Sequence, residues 1–397
     1  LVLATLNGAW VFVLQVSWSR MFAQVHENSI YSLALILAVL LVGLAVGSAC
    51  ARTLLARGWD PFRVLAGCWL AGGGCVIWTP SLFWAMTAGL AYVNAPGGWV
   101  ANGWRLLELA VPTVFLPSVF VGTGFPLLLQ IAGERVRDGA GRVVGGLAAA
   151  GTLGSIVGSL AAASLLPSTL GLWWTLAAVG AALAVAGALV HRGGGSPAIR
   201  WAQGLGGAVL IAASLLWVAP GTVPRTRVRE DHGERLVDLQ ESSHGVVAVV
   251  ESAGSRRIKL NNFYVLGGTA STGDERMQGH LPLLLHPAPR KVAFLGLGTG
   301  ITAGAALLHP VDRITAVEIV PEVIAAVRRN RENQPWLELL GPLHHAGRGE
   351  GRVPLFVGRR LQPFLDELRS GVGARGVLSL MGAEETRWRE AGRRRGL

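Results

Sequence analysis

The chain has 397 residues, 51% of them hydrophobic and only 15% charged, with a mean hydropathy of +0.46; ordinary soluble domains carry roughly 25% charged residues. The deficit argues against a wholly soluble chain and is uneven: residues 1–220 carry sparse, clustered charges, whereas the chain from 221 onward is charged and rich in arginine. The net charge of +11 is nearly all arginine, since Lys259 and Lys291 are the only lysines, but no arginine stripe is interleaved with aromatics, so nucleic acid is not an expected partner.

The chain opens at Leu1 inside an apolar run, which reads as a fragment and not as a signal peptide, because no charged stretch precedes the run and no small-x-small site follows it. A membrane-spanning helix needs about 20 mostly apolar residues. Seven segments meet that requirement: 1–18, 29–50, 62–84, 107–131, 143–166, 172–190 and 201–218. Arg20, His26 and Glu27 fall between the first two and read as a solvated edge. Gly43 and Gly47 in the second span, and Gly154 and Gly158 in the fifth, have the spacing that lets helix backbones approach closely in lipid; a glycine-lined substrate path is the alternative. Pro112, Pro117 and Pro126 must kink or break the fourth span, and broken helices also mark transport sites. Cys50, Cys68 and Cys75 all lie in apolar segments without metal-ligand spacing. Arg52, Arg57 and Arg63, then Arg135, Arg137 and Arg142, then Arg192 and Arg200 follow alternate spans and predict cytoplasmic loops. Seven spans would then leave the remainder of the chain outside, in conflict with a domain that uses a cytosolic cofactor.

Beyond residue 220 the pattern changes. Apolar and polar residues alternate over 246–266 around a glycine-containing turn, which predicts a β-hairpin. A buried strand over 291–295 runs into Gly296, Gly298, Thr299 and Gly300, and a helix is predicted from Ile301. Glycines at that position permit a tight turn and a close approach of backbone to a ligand. A second strand over 314–317 ends in Glu318, where an acid can accept hydrogen bonds from ribose hydroxyls, and Pro321 suits the first turn of the next helix. The dinucleotide fingerprint G-x-G-x-x-G is not met, because position 301 is Ile; the form is that of S-adenosylmethionine-type folds.

The segment 244–328 resembles the spermidine synthase family through "NNFYVLGGT", "GHLPLLLHPAPRKVAFLGLGTGITAGAALLHP" and "AVEIVPEVI". With "SRMFAQVHENSIYSLALILAVLLVGLAVGSA" and "GTLGSIVGSLAAASLLPSTLG", the chain is similar to bacterial membrane proteins that fuse a polytopic, major-facilitator-like region to a spermidine synthase-like domain. The resemblance implies a polytopic α-helical membrane bundle followed by an α/β Rossmann-like domain with a small β-element. It implies aminopropyl transfer from decarboxylated S-adenosylmethionine to an amine such as putrescine, in a multi-pass protein of a bacterial inner (plasma) membrane. Carried over, Gly296, Gly298, Thr299 and Gly300 face the nucleoside and Glu318 its ribose; the co-substrate is decarboxylated S-adenosylmethionine or S-adenosylmethionine, with no metal. Membrane lipid and a small amine are the expected partners, and an oligomer is compatible with the pattern.

Two departures qualify the resemblance. Soluble members carry in the glycine turn an acid that helps hold the aminopropyl amine, where this chain has Thr299. After Gln334 neither the expected strand ending in Asp-Gly nor a strand followed by a catalytic Asp is evident; Asp366 falls in a predicted helix, so the catalytic residues are unassigned. His344 and His345 form a pair without a third ligand. Too few residues follow Gly300 for a whole sheet at roughly 30 residues per βαβ unit, so the end reads as truncated or divergent. The predicted organisation is a transmembrane domain at 1–220, a linker at 221–240, a nucleoside-binding domain at 241–334 and an Arg/Gly-rich tail at 335–397. Two other activities stay open: a transporter-like protein with a degenerate or regulatory nucleoside domain, and S-adenosylmethionine-dependent methyl transfer.

Overall fold

A computed structural model describes residues 1–27, 30–94, 97–134, 140–190, 223–330 and 355–357. The chain forms two compact units. The first comprises Leu1–Arg227 with the short segments Glu241–Val246 and Asn261–Phe263; the second comprises Val228–Gln240, Val247–Leu260 and the chain from Tyr264 on.

In the first unit, six helical stretches among the described residues are long and apolar enough to cross a membrane: Val2–Phe22, Ile30–Ala56, Pro61–Met86, Val100–Gly133, Gly141–Thr169 and Leu172–Val190. They coincide with the first six predicted spans, and the seventh, 201–218, lies outside the described residues. The first three are single helices, α1 (Val2–Phe22), α2 (Ile30–Ala56) and α3 (Pro61–Met86). The fourth is segmented as its prolines require. It consists of α4 (Trp99–Ala110), a π-turn over Val111–Phe115, α5 (Leu116–Gly122) and α6 (Gly124–Gly133). Pro117 has no N–H to give the carbonyl one turn before it, at Thr113. The Thr79 hydroxyl of α3, whose 3.0 Å hydrogen bond goes to the Cys75 carbonyl of its own helix, also lies 3.4 Å from that oxygen. Polar side chains of neighbouring helices at such a site help to make a broken helix tolerable in lipid. The fifth span divides in the same way, into α7 (Ala140–Leu160), a π-turn over Ala161–Leu165 and α8 (Leu166–Thr169) with Pro167 at its start. The last described span is α9 (Leu172–Val190).

The small residues pack backbones together. A Cβ at Gly154 would overlap the Thr5 carbonyl of α1, and one at Gly158 would come within 2.5 Å of the Ala9 oxygen. At Gly43 it would meet the Ser118 Cβ of α5 at 2.7 Å, and at Gly47 it would overlap the Val119 carbonyl. These four glycines therefore face neighbouring helices and do not line a path. The core around them is apolar and aromatic, with Trp10 edge-on to Trp69 at 5.4 Å. Arg20 differs from its predicted role as a solvated edge residue: its guanidinium donates to the carbonyls of Ser242, Ala163 and Ser243, each at 3.0 Å.

The second unit contains a four-stranded sheet in the order β1 (Arg235–Ser242), β2 (Gly245–Ser252), β3 (Ser255–Leu260), β4 (Tyr264–Gly268). The predicted hairpin is the β2–β3 pair, closed by Ala253 and Gly254, both at positive φ. Part of the stretch read as a linker at 221–240 is strand: β1 begins at Arg235. Its mixed run of residues is a weak pattern alone and becomes a strand by pairing with β2 at the sheet edge. Below the strands Glu234, its side chain 1% exposed, pairs with Arg229 and Lys259 at 3.2 Å each and with Arg257. Burial, with the nearby Arg229 charge, lowers the Arg257 pKa from the usual arginine range.

After α10 (Thr272–Leu285) comes a parallel sheet in the order β5 (Lys291–Leu295), β6 (Arg313–Glu318), β7 (Leu355–Val357), with α11 (Ile301–Ala305) between the first two strands and α12 (Pro321–Arg329) after β6. Its register aligns Leu295 with Val317 and Glu318 with Val357. The strand β7 lies within the stretch read as a divergent tail. Phe294, Ile301, Ile314, Val323 and Ile324 join Val247 and Val249 of β2 in one apolar core.

The helix packing gives a first prediction. Gly154→Ala places a methyl group where the Thr5 carbonyl of α1 stands, and a backbone group has little freedom to give way. Overpacking of this kind costs ~1–3 kcal/mol. The full-length variant in detergent is expected to unfold at lower denaturant than the parent, whereas Gly145→Ala, which meets open space, is expected to unfold with the parent.

Candidate functional site

The carboxyl ends of β5 and β6 carry the glycine turn. Gly296, Gly298 and Gly300 have φ of +93°, +53° and +82°, the left-handed region in which side chains are strained. A side chain at Gly298 would also crowd the Leu266 carbonyl of β4, 2.9 Å from a Cβ placed there, while the space about Gly296 is open. The turn delivers the chain from β5 into α11, and Gly300 forms that helix's N-cap. Leu295 and Ile319 are both exposed and flank the turn at the ends of their strands.

Glu318 sits buried at the end of β6, and the turn is built on it. Its Oε2 accepts from the backbone N–H groups of Leu297 at 2.9 Å and Gly298 at 3.2 Å, and its Oε1 accepts from the Val320 N–H at 3.0 Å. An ionised carboxylate offers about four acceptor positions. Three are taken by backbone N–H groups, where the sequence alone suggests that Glu318 holds the ribose hydroxyls. The primary place of this side chain is as the anchor of the turn.

Thr299 is also buried, at 2% exposure. Its hydroxyl donates to Glu275 Oε2 and accepts from the Ile301 N–H at 3.3 Å. Glu275 Oε1 in turn accepts from the Gly268 N–H at 2.9 Å and from the Ser271 hydroxyl at 2.6 Å. The glycine turn thus has a carboxylate beside it, supplied from the first turn of α10. Sequence reasoning missed Glu275 and Ser271. An acid in "TGDER" reads as an ordinary helix-start signal, and only the packing of α10 against α11 brings it to the turn. Close approach at Gly279, where a Cβ would overlap the Thr302 carbonyl, permits that packing.

Of the five residues named from the sequence, Gly296, Gly298, Thr299 and Gly300 therefore lie in one turn, and Glu318 at the end of β6 contacts it. Asn261 lies in the first unit, where its amide oxygen accepts from the Val246 N–H at 3.0 Å. His344, His345 and Asp366 lie outside the described residues. Among the described residues no group of three or more His, Cys, Asp or Glu is placed to hold a metal.

No family model matches the chain, and no curated protein matches it. Among solved structures it is similar to a spermidine synthase from Thermotoga maritima, at 21% identity over 31% of this chain and 41% of that one, with a TM-score of 0.26. It is similar also to a spermidine synthase in complex with the transition-state analogue AdoDATO, at 21% identity over 31% of this chain and 39% of that one, with the same TM-score of 0.26. The chain spans about two fifths of the length of these structures. A likeness at this score carries no argument about activity.

Glu318→Gln tests the anchor. An amide side chain keeps one acceptor oxygen and faces the other turn donors with N–H groups. Each unsatisfied donor costs ~1–3 kcal/mol. Backbone amides of Leu297, Gly298 and Val320 are expected to exchange hydrogen faster in the variant, measured by mass spectrometry on the full chain. Unchanged exchange at all three would show that the turn holds its shape without the carboxylate.

Proposed function

We propose that this chain is a membrane-embedded, spermidine synthase-like protein. Its glycine turn takes the nucleoside part of decarboxylated S-adenosylmethionine, or of S-adenosylmethionine itself, and its reaction transfers an aminopropyl group to a small amine such as putrescine. The observation that supports the reading is the left-handed glycine turn at the carboxyl ends of two parallel strands, anchored by Glu318. Ligands of open α/β sheets bind in this position, outside the carboxyl ends of the strands. In this reading the open face at Gly296 admits the nucleoside, exposed Leu295 and Ile319 offer apolar surface to its base, and the last acceptor position of Glu318 takes one ribose hydroxyl. Glu275, held at Thr299, places negative charge beside the turn, where a ligand ammonium or sulfonium is stabilised.

In the transfer itself the amine nitrogen forms a bond to the aminopropyl carbon, the carbon–sulfur bond breaks with its electrons left on sulfur, and the amine loses a proton to a base. The products are the lengthened amine and 5′-methylthioadenosine. No described residue is assigned as that base. The location in this reading is a bacterial plasma membrane, with lipid about the six apolar stretches. A second reading is a transporter-like protein whose nucleoside domain is degenerate or regulatory. It is favoured by the π-turns that interrupt the fourth and fifth spans, since discontinuous helices form substrate sites in transporters.

Calorimetric titration of the detergent-solubilised full chain with 5′-methylthioadenosine tests the site. Saturable binding is expected, weakened about tenfold or more by Gly298→Val, equivalent to ~1.4 kcal/mol. The absence of binding in the parent would overturn the nucleoside reading and leave the transporter-like one. Incubation with decarboxylated S-adenosylmethionine and labelled putrescine tests the chemistry: an aminopropylated amine supports the proposal, and a methylated product formed from S-adenosylmethionine would replace it.

A further inference from the structure

The first unit contains a cavity of about 360 Å³, and every residue lining it belongs to that unit. Leu33 of α2, Ala162 of the second π-turn and Leu166 of α8 form apolar walls. Arg20, Glu241 and His244 supply its charged and titratable lining. The two charged groups are not equally satisfied. Arg20 has already committed three N–H groups to the carbonyls of Ser242, Ala163 and Ser243. Glu241, its side chain only 8% exposed, accepts one hydrogen bond, from the Leu172 N–H at the start of α9, at 2.8 Å to Oε2. Its other oxygen, Oε1, is fully buried and accepts no hydrogen bond. The nearest cation, Arg225, stands 3.5 Å away as an ion pair, and its own side chain is 55% exposed. Solvent weakens so exposed a partner, and a buried carboxylate oxygen without a donor is costly to maintain.

We propose that this cavity is a ligand site for a small organic amine, whose ammonium group donates to Glu241 Oε1 while its hydrocarbon part lies against Leu33, Ala162 and Leu166. The lining is short of a donor at a carboxylate, and an ammonium group is all donor. An anion has less to gain, because the guanidinium facing it is largely spent on backbone oxygens. The volume falls within the range of small-molecule sites. The site uses no atom of the glycine turn and rests on neither reading of the protein's function.

Glu241 also gives the site a pH dependence. Burial raises its pKa, opposed by the Leu172 N–H and by Arg225. As pH falls through that raised value the carboxyl becomes neutral and its attraction for an ammonium is lost. The other titratable or charged groups facing it are Arg20, Arg225 and His244. His244→Gln isolates the contribution of Glu241.

The test is calorimetric titration of the full chain, in nanodiscs of neutral phosphatidylcholine, with putrescine and separately with butyrate. Saturable putrescine binding is expected at neutral pH, weakened about tenfold or more by Glu241→Gln, retained in Gly298→Val, and progressively lost as pH is lowered in His244→Gln as in the parent. Leu33→Trp, a change at a half-exposed position that fills the cavity, is expected to weaken binding as well and decides the matter if Glu241→Gln fails to fold. The proposal is overturned by no putrescine binding at millimolar concentration, by full binding in both cavity variants, by preferential binding of butyrate, or by binding abolished in Gly298→Val alone, which would assign the amine to the glycine turn.

Discussion

Every buried peptide N–H and C=O needs a partner, and in this chain the irregular backbone meets that demand with side chains. In the first unit, the Thr79 hydroxyl lies 3.4 Å from a carbonyl that Pro117 deprives of its usual helical donor, and Arg20 donates to the carbonyls of Ala163, Ser242 and Ser243. In the second unit, Glu318 takes two N–H groups of the glycine turn and that of Val320 at the start of α12, and Glu275 takes the N–H of Gly268. These side chains stand where the chain departs from regular helix or sheet. The regular elements satisfy themselves and leave little chemistry; the irregular stretches concentrate charge. For that reason the two candidate ligand sites, at the glycine turn and in the helical cavity, are both built from residues whose first task is to hold backbone.

Much of this was legible in the sequence, and for identifiable reasons. Long apolar runs have one outcome in a membrane, so six spans could be placed, with ends off by as much as seven residues, at Val100. Pro112 and Pro117 mark the break in the fourth span, but proline alone does not decide it, since Pro80 lies inside the continuous helix α3; the form of the break, a π-turn, depends on context. Pro167 does the same to the fifth span, and one proline near a span's end was an easy signal to pass over. The glycine turn was equally plain, since G-x-G-x-G between a strand and a helix leaves few alternatives. Its support was not. Glu275 is 24 residues from Thr299 along the chain, and nothing in the local pattern of α10 says that its first turn faces the glycine turn. Strand β1 was hidden because a short, mixed edge strand gains its identity from its partner.

Arg20 shows the same limit from the opposite direction. Near the end of an apolar span, an arginine is most simply read as reaching for water. Its actual partners, the carbonyls of Ser242 and Ser243, lie more than 200 residues further along the chain. Tertiary contacts of that separation leave no periodicity to detect, and residue type alone predicts that a partner is needed without naming it.

The glycine turn and Glu318 together constrain what chemistry the second unit can support. With three of about four acceptor positions occupied by backbone, the Glu318 carboxylate cannot serve as a free base without loosening the turn. Glu275 is similarly engaged, by Thr299, Ser271 and Gly268. Both carboxylates are therefore fixed negative charges positioned by hydrogen bonds. Fixed charge of this kind stabilises a bound cation without reorganising when it arrives, which suits a sulfonium or an ammonium at the turn. In the proposed transfer, the proton lost by the amine would go to a group other than these two. On the proposed reading, the turn would stabilise charge and leave proton transfer to another part of the chain.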